Sequence, residues 1–234
     1  MPFQTLTRPS KLNIALWGPS GAGKTYTALG LAHQLGQRVA VADTEHCASA
    51  LYTDRLPAQI ADVQAPYAPE VFIALIDEAE SQGFDVLIFD SLSPEWDGPG
   101  GCLALLDAAQ HQGHKGVRAW KVVTPRHEAL LHRINTTPLS IITTLREKPR
   151  VLLDTAESNG KNATYNVEPR PVMRERYEFE YDLVFRITMD HRVTAVKSRL
   201  TAIPEGSTLK AGKALLDAVR QAHTGSLEPV PSSS

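Results

Sequence analysis

The chain has 234 residues, of which 42% are hydrophobic and 21% charged, a composition typical of one globular domain with a single core. The formal charge of -2, from 24 basic and 26 acidic residues, gives no sign of a general nucleic-acid binder, so any such site would be a local patch. No apolar run reaches the length of a membrane span, and residues 1–11 lack a signal-peptide core. Cys47 and Cys102 have no metal-binding spacing and suggest a reducing compartment, although a disulfide between them stays open. We therefore expect a cytoplasmic protein.

Residues 1–10 are polar and contain two prolines, and we expect a flexible arm there, followed by one domain over 11–223. An apolar run at 12–17 predicts a buried strand, and apolar residues at helical spacing over 26–35 predict a helix. Between them, residues 18–25 read Gly-Pro-Ser-Gly-Ala-Gly-Lys-Thr, which is a complete Walker A loop. The loop therefore sits between a strand and a helix, the context that this motif requires.

The chemistry of this loop depends on its backbone. Its glycines allow successive N–H groups to point inward at the α- and β-phosphates of a nucleotide, and the helix dipole adds positive potential. Lys24 should reach the β- and γ-phosphates, and Thr25 should bind a Mg²⁺ ion that bridges them. The sequence thus predicts a site for ATP and Mg²⁺ whose nucleotide-binding residues are Gly18, Pro19, Ser20, Gly21, Ala22, Gly23, Lys24, Thr25 and Tyr26.

Further strands follow this loop. A second buried strand at 38–43 ends in Asp43-Thr44-Glu45-His46, and a short strand is predicted at 61–65 before a helix at 70–82. The next strand, at 85–90, has four apolar residues and closes on Asp90. Downstream of a Walker A loop, such a strand is a Walker B element, so we expect Asp90 to hold the Mg²⁺ ion through a water.

A long segment at 91–123 has no regular pattern apart from a short helix candidate at 103–110, which is typical of a functional loop or a mobile insertion. His111 and His114 lack a cysteine or further histidine nearby, and we interpret them as solvated residues rather than metal ligands. Trp96 either stacks on a base or fills a core.

The next predicted helix begins with Thr124 as its N-cap and Pro125 at its first position, and a strand at 138–144 follows it. Residues 145–177 again show no regular pattern and predict a long basic loop. Because acidic residues dilute its charge, composition alone favours equally a solvated surface insertion and a DNA-contacting loop. The candidate DNA-binding cations are Lys148, Arg150, Lys161, Arg170, Arg174 and Arg176.

Two strands at 181–188 and 192–196 predict a hairpin, a last helix is predicted at 212–222, and we expect a disordered tail at 224–234. Strands that alternate with helices imply a mostly parallel, helix-covered sheet. In such a sheet phosphates bind at the carboxyl ends of the strands, which is where the Walker A loop, Glu45 and Asp90 all fall.

These motifs resemble those of the RecA family of recombination ATPases. Asp43-Thr44-Glu45-His46 is similar to the family's Asp-Ala-Glu-His, and Phe89-Asp90-Ser91 is similar to its Walker B Val-Asp-Ser. The resemblance covers residues 12–201 and implies an α/β, RecA-like P-loop NTPase core, with a mostly parallel sheet flanked by helices and a C-terminal antiparallel hairpin. It also implies that Glu45 orients and activates the attacking water.

The same resemblance extends to the end of the hairpin. Ala195-Val196-Lys197-Ser198-Arg199 is similar to the family's Val-Val-Lys-Asn-Lys, which implies that Lys197 and Arg199 reach the nucleotide of a neighbouring subunit in a homo-oligomer. Otherwise, this segment is simply the exposed end of a hairpin. Thr144 stands where the family has a nucleotide-sensing Gln, a departure that bears on how ATP is coupled to DNA.

A minimal core of this kind resembles the ATP-binding proteins of tailed phages and prophages that are related to RecA and linked to recombination and single-strand annealing. This resemblance implies a DNA role for the segments after Asp90 and after Thr144, and a Mg-dependent ATPase that acts on single-stranded DNA, with Lys24, Glu45, Asp90, Lys197 and Arg199 as catalytic residues. Two alternatives stay open: a nucleotide-gated assembly or loader protein with slow hydrolysis, and a phosphotransferase with a small acceptor.

Overall fold

The computed structural model describes residues 11–153 and 165–224. The arm expected at 1–10, the candidate Lys161 and the tail from residue 225 lie outside these residues. The strands are β1 Ile14–Gly18, β2 Val39–Asp43, β3 Gln59–Asp62, β4 Val86–Asp90, β5 Ser140–Leu153, β6 Tyr165–Pro171, β7 Leu183–Ile187, β8 Arg192–Ser198 and β9 Thr208–Lys210. The helices are α1 Lys24–Leu35, α2 Pro69–Ser81, α3 Ser93–Asp97, α4 Cys102–His111, α5 Val117–Thr136 and α6 Lys213–Thr224, with short 3-10 turns at Ala48–Tyr52 and Tyr177–Glu180.

The strands of the described residues form one sheet in the order β3-β2-β4-β5-β1-β7-β8-β9, with β6 paired to the outer half of β5. Neighbours from β3 to β7 run parallel, whereas β7, β8 and β9 pair antiparallel. The predicted fold class, a mostly parallel α/β sheet flanked by helices with a C-terminal antiparallel hairpin, is therefore confirmed. None of the helices in the described ranges combines the length and apolarity of a membrane span.

Each face of the sheet carries its own core, because successive residues of a strand point to opposite faces. Ile14 and Leu16 of β1 pack into the core that α1 and α6 cover. Ala15 and Trp17 of the same strand belong to the core that α2 and α5 cover. The central strands are thus buried on both faces, as parallel strands in α/β proteins are.

The segment at 91–123, interpreted above as a loop or insertion around one short helix, is largely helical. It contains α3, α4 and the first turns of α5, which begins at Val117 rather than at Thr124. Pro125 lies inside α5 and removes only one donor from its hydrogen-bond ladder. The loss is tolerated because the buried residues of α5, which share one face, pack against the sheet and α4: Ala119, Val123, His127, Leu130 and Ile134.

The prediction of a long basic loop at 145–177 is also wrong for most of the residues that the structure describes in this range. β5 continues past the body of the sheet to Leu153 and pairs antiparallel with β6. Prolines hid this pairing, since a proline argues against a strand. Pro149 lies opposite Pro169 in the register, at a position where antiparallel strands exchange no N–H bonds.

Candidate nucleotide-binding site

The Walker A loop leaves β1 at Gly18 and enters α1 at Lys24, and its glycines are required by geometry. A Cβ atom on Gly18 would lie 2.1 Å from the carbonyl oxygen of Ile187, so the backbone packs directly on β7. Gly21 and Gly23 have φ angles of 81° and 90°, in the left-handed region that side chains disfavour. The loop can therefore adopt this curled path only with glycine at these positions.

Lys24 lies across this loop. Its Nζ atom donates hydrogen bonds to the carbonyl oxygens of Gly18 at 3.0 Å and Pro19 at 2.9 Å. Burial lowers the pKa of Lys24, and the nearby carboxylates of Glu45 and Asp90 oppose this decrease. The ammonium group is thus held beside two acidic side chains, where an incoming phosphate would bring further negative charge.

The acidic end of the site is centred on Asp90. The Thr25 hydroxyl donates to Asp90 Oδ2 at 2.7 Å, and the Thr144 hydroxyl donates to Asp90 Oδ1. Asp90 is 3% exposed, and burial raises its pKa although both hydroxyls oppose the shift. A carboxylate and a hydroxyl are hard oxygen donors of the kind that Mg²⁺ prefers, so Thr25 and Asp90 fit this ion.

Glu45 follows β2 in a turn that its neighbours fix. The buried carboxylate of Asp43 accepts bonds from the backbone N–H of Glu45 at 2.6 Å and from both the N–H and the hydroxyl of Ser49. The Glu45 side chain is 38% exposed and pairs with Arg146, with 3.1 Å between Oε1 and Nε. The carboxylate therefore faces the cavity from the end of the strand next to β4.

These groups line one cavity of about 320 Å³ at the carboxyl ends of the parallel strands, here named the nucleotide cavity. It brings together the predicted residues Gly18, Ser20, Gly21, Gly23, Lys24, Thr25, Tyr26, Glu45 and Asp90. Sequence reasoning missed three other lining residues as site residues: Tyr52, Arg146 and Glu147. The position of Arg146 two residues after Thr144 was a signal that could have identified it, because β5 ends its parallel pairing there beside Gly18.

A second cavity of about 450 Å³ adjoins the Walker A loop on the α1 side. The rings of Tyr26 and Tyr52 meet edge to face at 5.7 Å between centroids, and both line this cavity together with His191 and Leu216. His191 Nδ1 lies 3.0 Å from the carbonyl oxygen of Ala22, which ties the tip of the β7–β8 hairpin to the loop. Aromatic and apolar walls next to a phosphate cradle suit a nucleoside base.

The predicted DNA-binding cations converge on a different region. A groove of about 680 Å³, here named the basic groove, is lined by Trp96, Lys148, Arg150, Arg170, Arg174 and Arg176 among other residues. Of the six cations predicted from the sequence, the described ranges include all except Lys161, and all five line this groove. Residues from α3, the β5–β6 hairpin and the turn after β6 build it, so no continuous stretch of sequence encodes it.

Charge pairing in the basic groove is loose. Arg150 pairs with Glu175 at 3.4 Å and Arg170 with Glu168 at 2.9 Å, both at exposed positions. Lys148 makes no ion pair within ranges 11–153 and 165–224, and the same holds for Arg176. Exposed pairs of this kind contribute little to stability, so these cations remain available to an anionic ligand.

Trp96 packs against other aromatic side chains and also borders the basic groove. Its ring stacks on Trp120, with centroids 6.1 Å apart and planes at 17°, and meets His127 at 5.6 Å. The residue is nevertheless half-buried and lines the basic groove. One side of the side chain thus packs on the protein while the residue contributes to the groove wall.

β5 connects the two regions. Arg146 and Glu147 line the nucleotide cavity, and Lys148 follows directly in the basic groove. The Ser93 hydroxyl accepts a bond from the Arg146 N–H and donates one to the carbonyl oxygen of Val172, both at 2.9 Å. α3 is therefore bonded to β5 and to the residue that follows β6, at the point where the nucleotide cavity ends.

Lys197 and Arg199 lie at the opposite end of the strands from the nucleotide cavity, beside the amino ends of β1 and β7. Lys197 donates to the carbonyl oxygens of Glu178 and Tyr181, and Arg199 donates to Phe179 O at 2.8 Å and contacts Asp182 at 3.2 Å. The backbone N–H of Asp182 donates to the carbonyl oxygen of Asn13, which precedes β1. These cations therefore sit at the amino end of β1, away from the Walker A loop at its carboxyl end, and cannot reach the nucleotide cavity of their own chain.

His111 and His114 are exposed, and the His111 Nδ1 atom lies 2.8 Å from the Asp107 carbonyl oxygen. The metal-binding groupings found in the described part of the chain include neither residue. The exposure of both side chains agrees with their interpretation as solvated residues.

Comparison with known proteins gives a family match over most of the chain. The sequence model of AAA_24, described as an AAA domain, matches residues 10–215. Among solved structures, the chain is similar to the RadB recombinase, at 16% identity and a TM-score of 0.49 over 86% of each chain. It is also similar to a prototypical ATPase from the type III secretion system of pathogenic bacteria, at 15% identity and a TM-score of 0.44, over 90% of this chain and 62% of that one. A search of curated proteins finds no match.

Proposed function

Because the chain belongs to the AAA_24 family of AAA domains, we propose that this P-loop ATPase hydrolyses Mg-ATP and acts on single-stranded DNA in phage-type recombination or annealing. One observation carries the proposal. Five predicted DNA-binding cations and Trp96 line a groove that begins where the nucleotide cavity ends on the same strand. A nucleotide site and an anion-binding surface that share β5 suit an enzyme in which one ligand affects the other.

In the proposed reaction, backbone N–H groups of residues 18–25 hold the α- and β-phosphates and Lys24 holds the β- and γ-phosphates. Thr25 and Asp90 would hold Mg²⁺, which when bound neutralises charge that develops on the phosphate oxygens. Glu45 orients a water in line with the γ-phosphate and accepts its proton. The Tyr26 and Tyr52 rings provide a surface for the base.

Arg146 is the proposed link between nucleotide and DNA. The Thr144 hydroxyl donates to Asp90 and the residue is fully buried, so it is poorly placed to sense the γ-phosphate as a longer Gln would. Arg146 lies further along β5, pairs with Glu45, and is bonded through its backbone to Ser93 and Val172 beside the groove. A phosphate that draws Arg146 from Glu45 would free the carboxylate and move the base of the hairpin.

The basic groove supplies the proposed DNA contacts. Lys and Arg side chains that follow a backbone of phosphates, together with an aromatic ring, form the usual platform for single strands. Lys197 and Arg199 support a further proposal, a homo-oligomer with ATP at the interface, since they lie at the opposite end of the strands from their own nucleotide cavity. There they would stabilise phosphate charge in a neighbouring copy.

One observation favours a second candidate function, a nucleotide-gated assembly protein with slow hydrolysis. Glu45 Oε1 is ion-paired with Arg146, so this oxygen is engaged by a side chain of the protein instead of an attacking water. If the pair persists when ATP is bound, nucleotide would control assembly while turnover stays slow.

Steady-state ATP hydrolysis by the purified chain, with and without single-stranded DNA at low and moderate salt, tests the proposal. We expect DNA to raise the rate, and the rise to weaken with salt because phosphate contacts release counterions. Unchanged hydrolysis together with no DNA binding at low salt would contradict the DNA role. ATP-dependent assembly under those conditions would favour the second candidate, whereas stimulation by small acceptors instead of DNA would favour a phosphotransferase.

A further inference from the structure

A buried cluster of three metal-binding side chains lies away from the nucleotide cavity, between α3, α4 and α5. Glu95, Cys102 and His127 are each 0–1% exposed. Glu95 Oε1 lies 3.1 Å from Cys102 Sγ and 2.9 Å from His127 Nδ1. A ligand atom of each residue lies within 4.8 Å of the others. Such a grouping of an acid, a thiol and an imidazole requires a physical explanation.

Hydrogen bonds within the cluster do not satisfy all of its polar atoms. Both contacts converge on Glu95 Oε1, whereas Glu95 Oε2 and His127 Nε2 are buried without a hydrogen-bond partner among the described residues. Leaving a buried polar atom unpaired costs about 1–3 kcal/mol, and more for a charged group. The surrounding side chains offer no relief because they are apolar or aromatic, including Leu106, Ala109, Val123, Trp96 and Trp120.

We propose that Glu95, Cys102 and His127 form a Zn²⁺ site. Thiolate, imidazole and carboxylate are the donors that Zn²⁺ takes in proteins, whereas Mg²⁺ takes oxygen. The Cys102 thiolate and the Glu95 carboxylate together balance the two positive charges of the ion, and the thiol proton leaves to solvent. His127 binds through Nδ1, the nitrogen that faces Glu95, and Nε2 keeps the ring proton. Glu95 Oε2 supplies the fourth donor, so the ion gives this unpaired oxygen a partner.

The geometry is close to that of a loaded site. Ligand atoms bound to one Zn²⁺ at about 2.0–2.3 Å lie roughly 3.3–3.7 Å apart. The separations of 2.9 and 3.1 Å from Glu95 Oε1 therefore need shifts of only a few tenths of an ångström. The ligand atoms of Cys102 and His127 lie within 4.8 Å of each other and would move together by up to about 1 Å.

The position of the site gives the ion a structural role. Its ligands come from three helices, and Trp96, next to Glu95 in sequence, lies in the wall of the basic groove. An ion bound here would fix α3 against α4 and α5 and so set the position of Trp96. The role differs from that of the nucleotide-bound Mg²⁺, since the donors include sulfur and nitrogen.

Cobalt titration of the full chain, stripped with a chelator, tests the site without reference to activity. We expect one equivalent of Co²⁺ to bind with a near-ultraviolet thiolate-to-cobalt charge-transfer band, and Zn²⁺ to displace it. The absence of this band on the wild-type chain overturns the proposal, as does stoichiometric binding that lacks it. This measurement holds whether or not any variant folds.

The two cysteines provide a matched pair of variants. Cys102→Ser should abolish the band and weaken Zn²⁺ binding by more than about 100-fold. Losing a residue that only hydrogen-bonds a metal ligand already weakens metal affinity by about 10- to 100-fold. Cys47→Ser should leave both unchanged, because Cys47 lies in the turn after β2 and outside the cluster. Loss of the band in Cys47→Ser and its retention in Cys102→Ser would overturn the assignment.

Discussion

The nucleotide cavity and the basic groove share a strand but are built differently. In the cavity, polar groups are paired inside the chain: Thr25 and Thr144 donate to Asp90, and Lys24 donates to loop carbonyls. In the groove, cations stand at exposed positions and pair loosely with exposed acids, as Arg150 does with Glu175. The first region fixes its geometry before a ligand arrives, whereas the second offers charge that can adapt to its ligand.

This difference predicts different responses to substitution. Removing one partner of a buried pair leaves the other unsatisfied, so effects in the cavity should be large and independent of salt. Removing an exposed cation deletes one phosphate contact among several, so effects in the groove should be graded and salt-dependent. The following predictions test this contrast, from the largest expected effect to the smallest.

Lys24→Ala should lower ATP turnover by at least about 100-fold, because the variant lacks the cation that meets the γ-phosphate. Binding of single-stranded DNA without nucleotide should be retained. Lys115→Ala, at an exposed position in the turn before α5, is the matched control and should keep wild-type turnover. If Lys24→Ala loses DNA binding as well, the two regions are not separable.

Glu45→Gln should retain nucleotide affinity and lose about 100-fold in hydrolysis, since an amide cannot accept the proton of the attacking water. Fluorescent-nucleotide binding and single-turnover hydrolysis measure the two quantities separately. Glu78→Gln, on the exposed side of α2, provides the same chemical change at a distance. Normal hydrolysis by Glu45→Gln would rule out the catalytic assignment.

Lys148→Ala and Arg176→Ala should each weaken binding of single-stranded DNA moderately. The slope of log affinity against log salt should become shallower by about 0.7 for each cation removed, since each cation releases counterions from a single strand. Lys213→Ala, on α6 at the other face of the sheet, should leave the slope unchanged. Equal losses at Lys213 would show that the groove has no special role.

Asp90→Asn should abolish hydrolysis, and it should also remove the contribution that the Asp90 carboxyl makes to the pH dependence of the free energy of unfolding. Burial raises the pKa of Asp90, so the folded state holds this proton more tightly than the unfolded state. The wild-type chain therefore loses stability as pH rises from the ordinary carboxyl range through the folded pKa of Asp90, and the variant should lack this loss, which unfolding measured against pH would show. Arg150→Ala in the groove should change the free energy of unfolding by less than about 0.5 kcal/mol. A larger change would contradict the difference drawn between the cavity and the groove.

Most of the nucleotide-site residues predicted from the sequence meet in one cavity because they lie in short segments at the ends of strands. Residues 18–25, Glu45 and Asp90 each follow a run of buried residues, and the parallel sheet brings these ends together. The cations of the groove were found as a set, but their convergence was not, because it depends on the β5–β6 pairing that opposed prolines concealed.

Two other features could not be predicted from local patterns. Thr124 and Pro125 carry the signals of a helix start, yet α5 begins at Val117 because its buried face outweighs the missing donor. The cluster of Glu95, Cys102 and His127 has no recognisable spacing, since its ligands come from three different helices. Only tertiary packing brings them together.

The placement of Lys197 and Arg199 affects how many complete sites an assembly of chains contains. A chain presents its nucleotide cavity at one end of the strands and these cations at the other, so any site that uses both belongs to two copies. An open row of chains then has one fewer complete site than chains, whereas a closed ring has as many sites as chains. Turnover per chain should therefore rise with the length of a row but stay constant for a ring, and a mixture of Lys24→Ala with Lys197→Ala chains should regain part of the activity that each lacks alone.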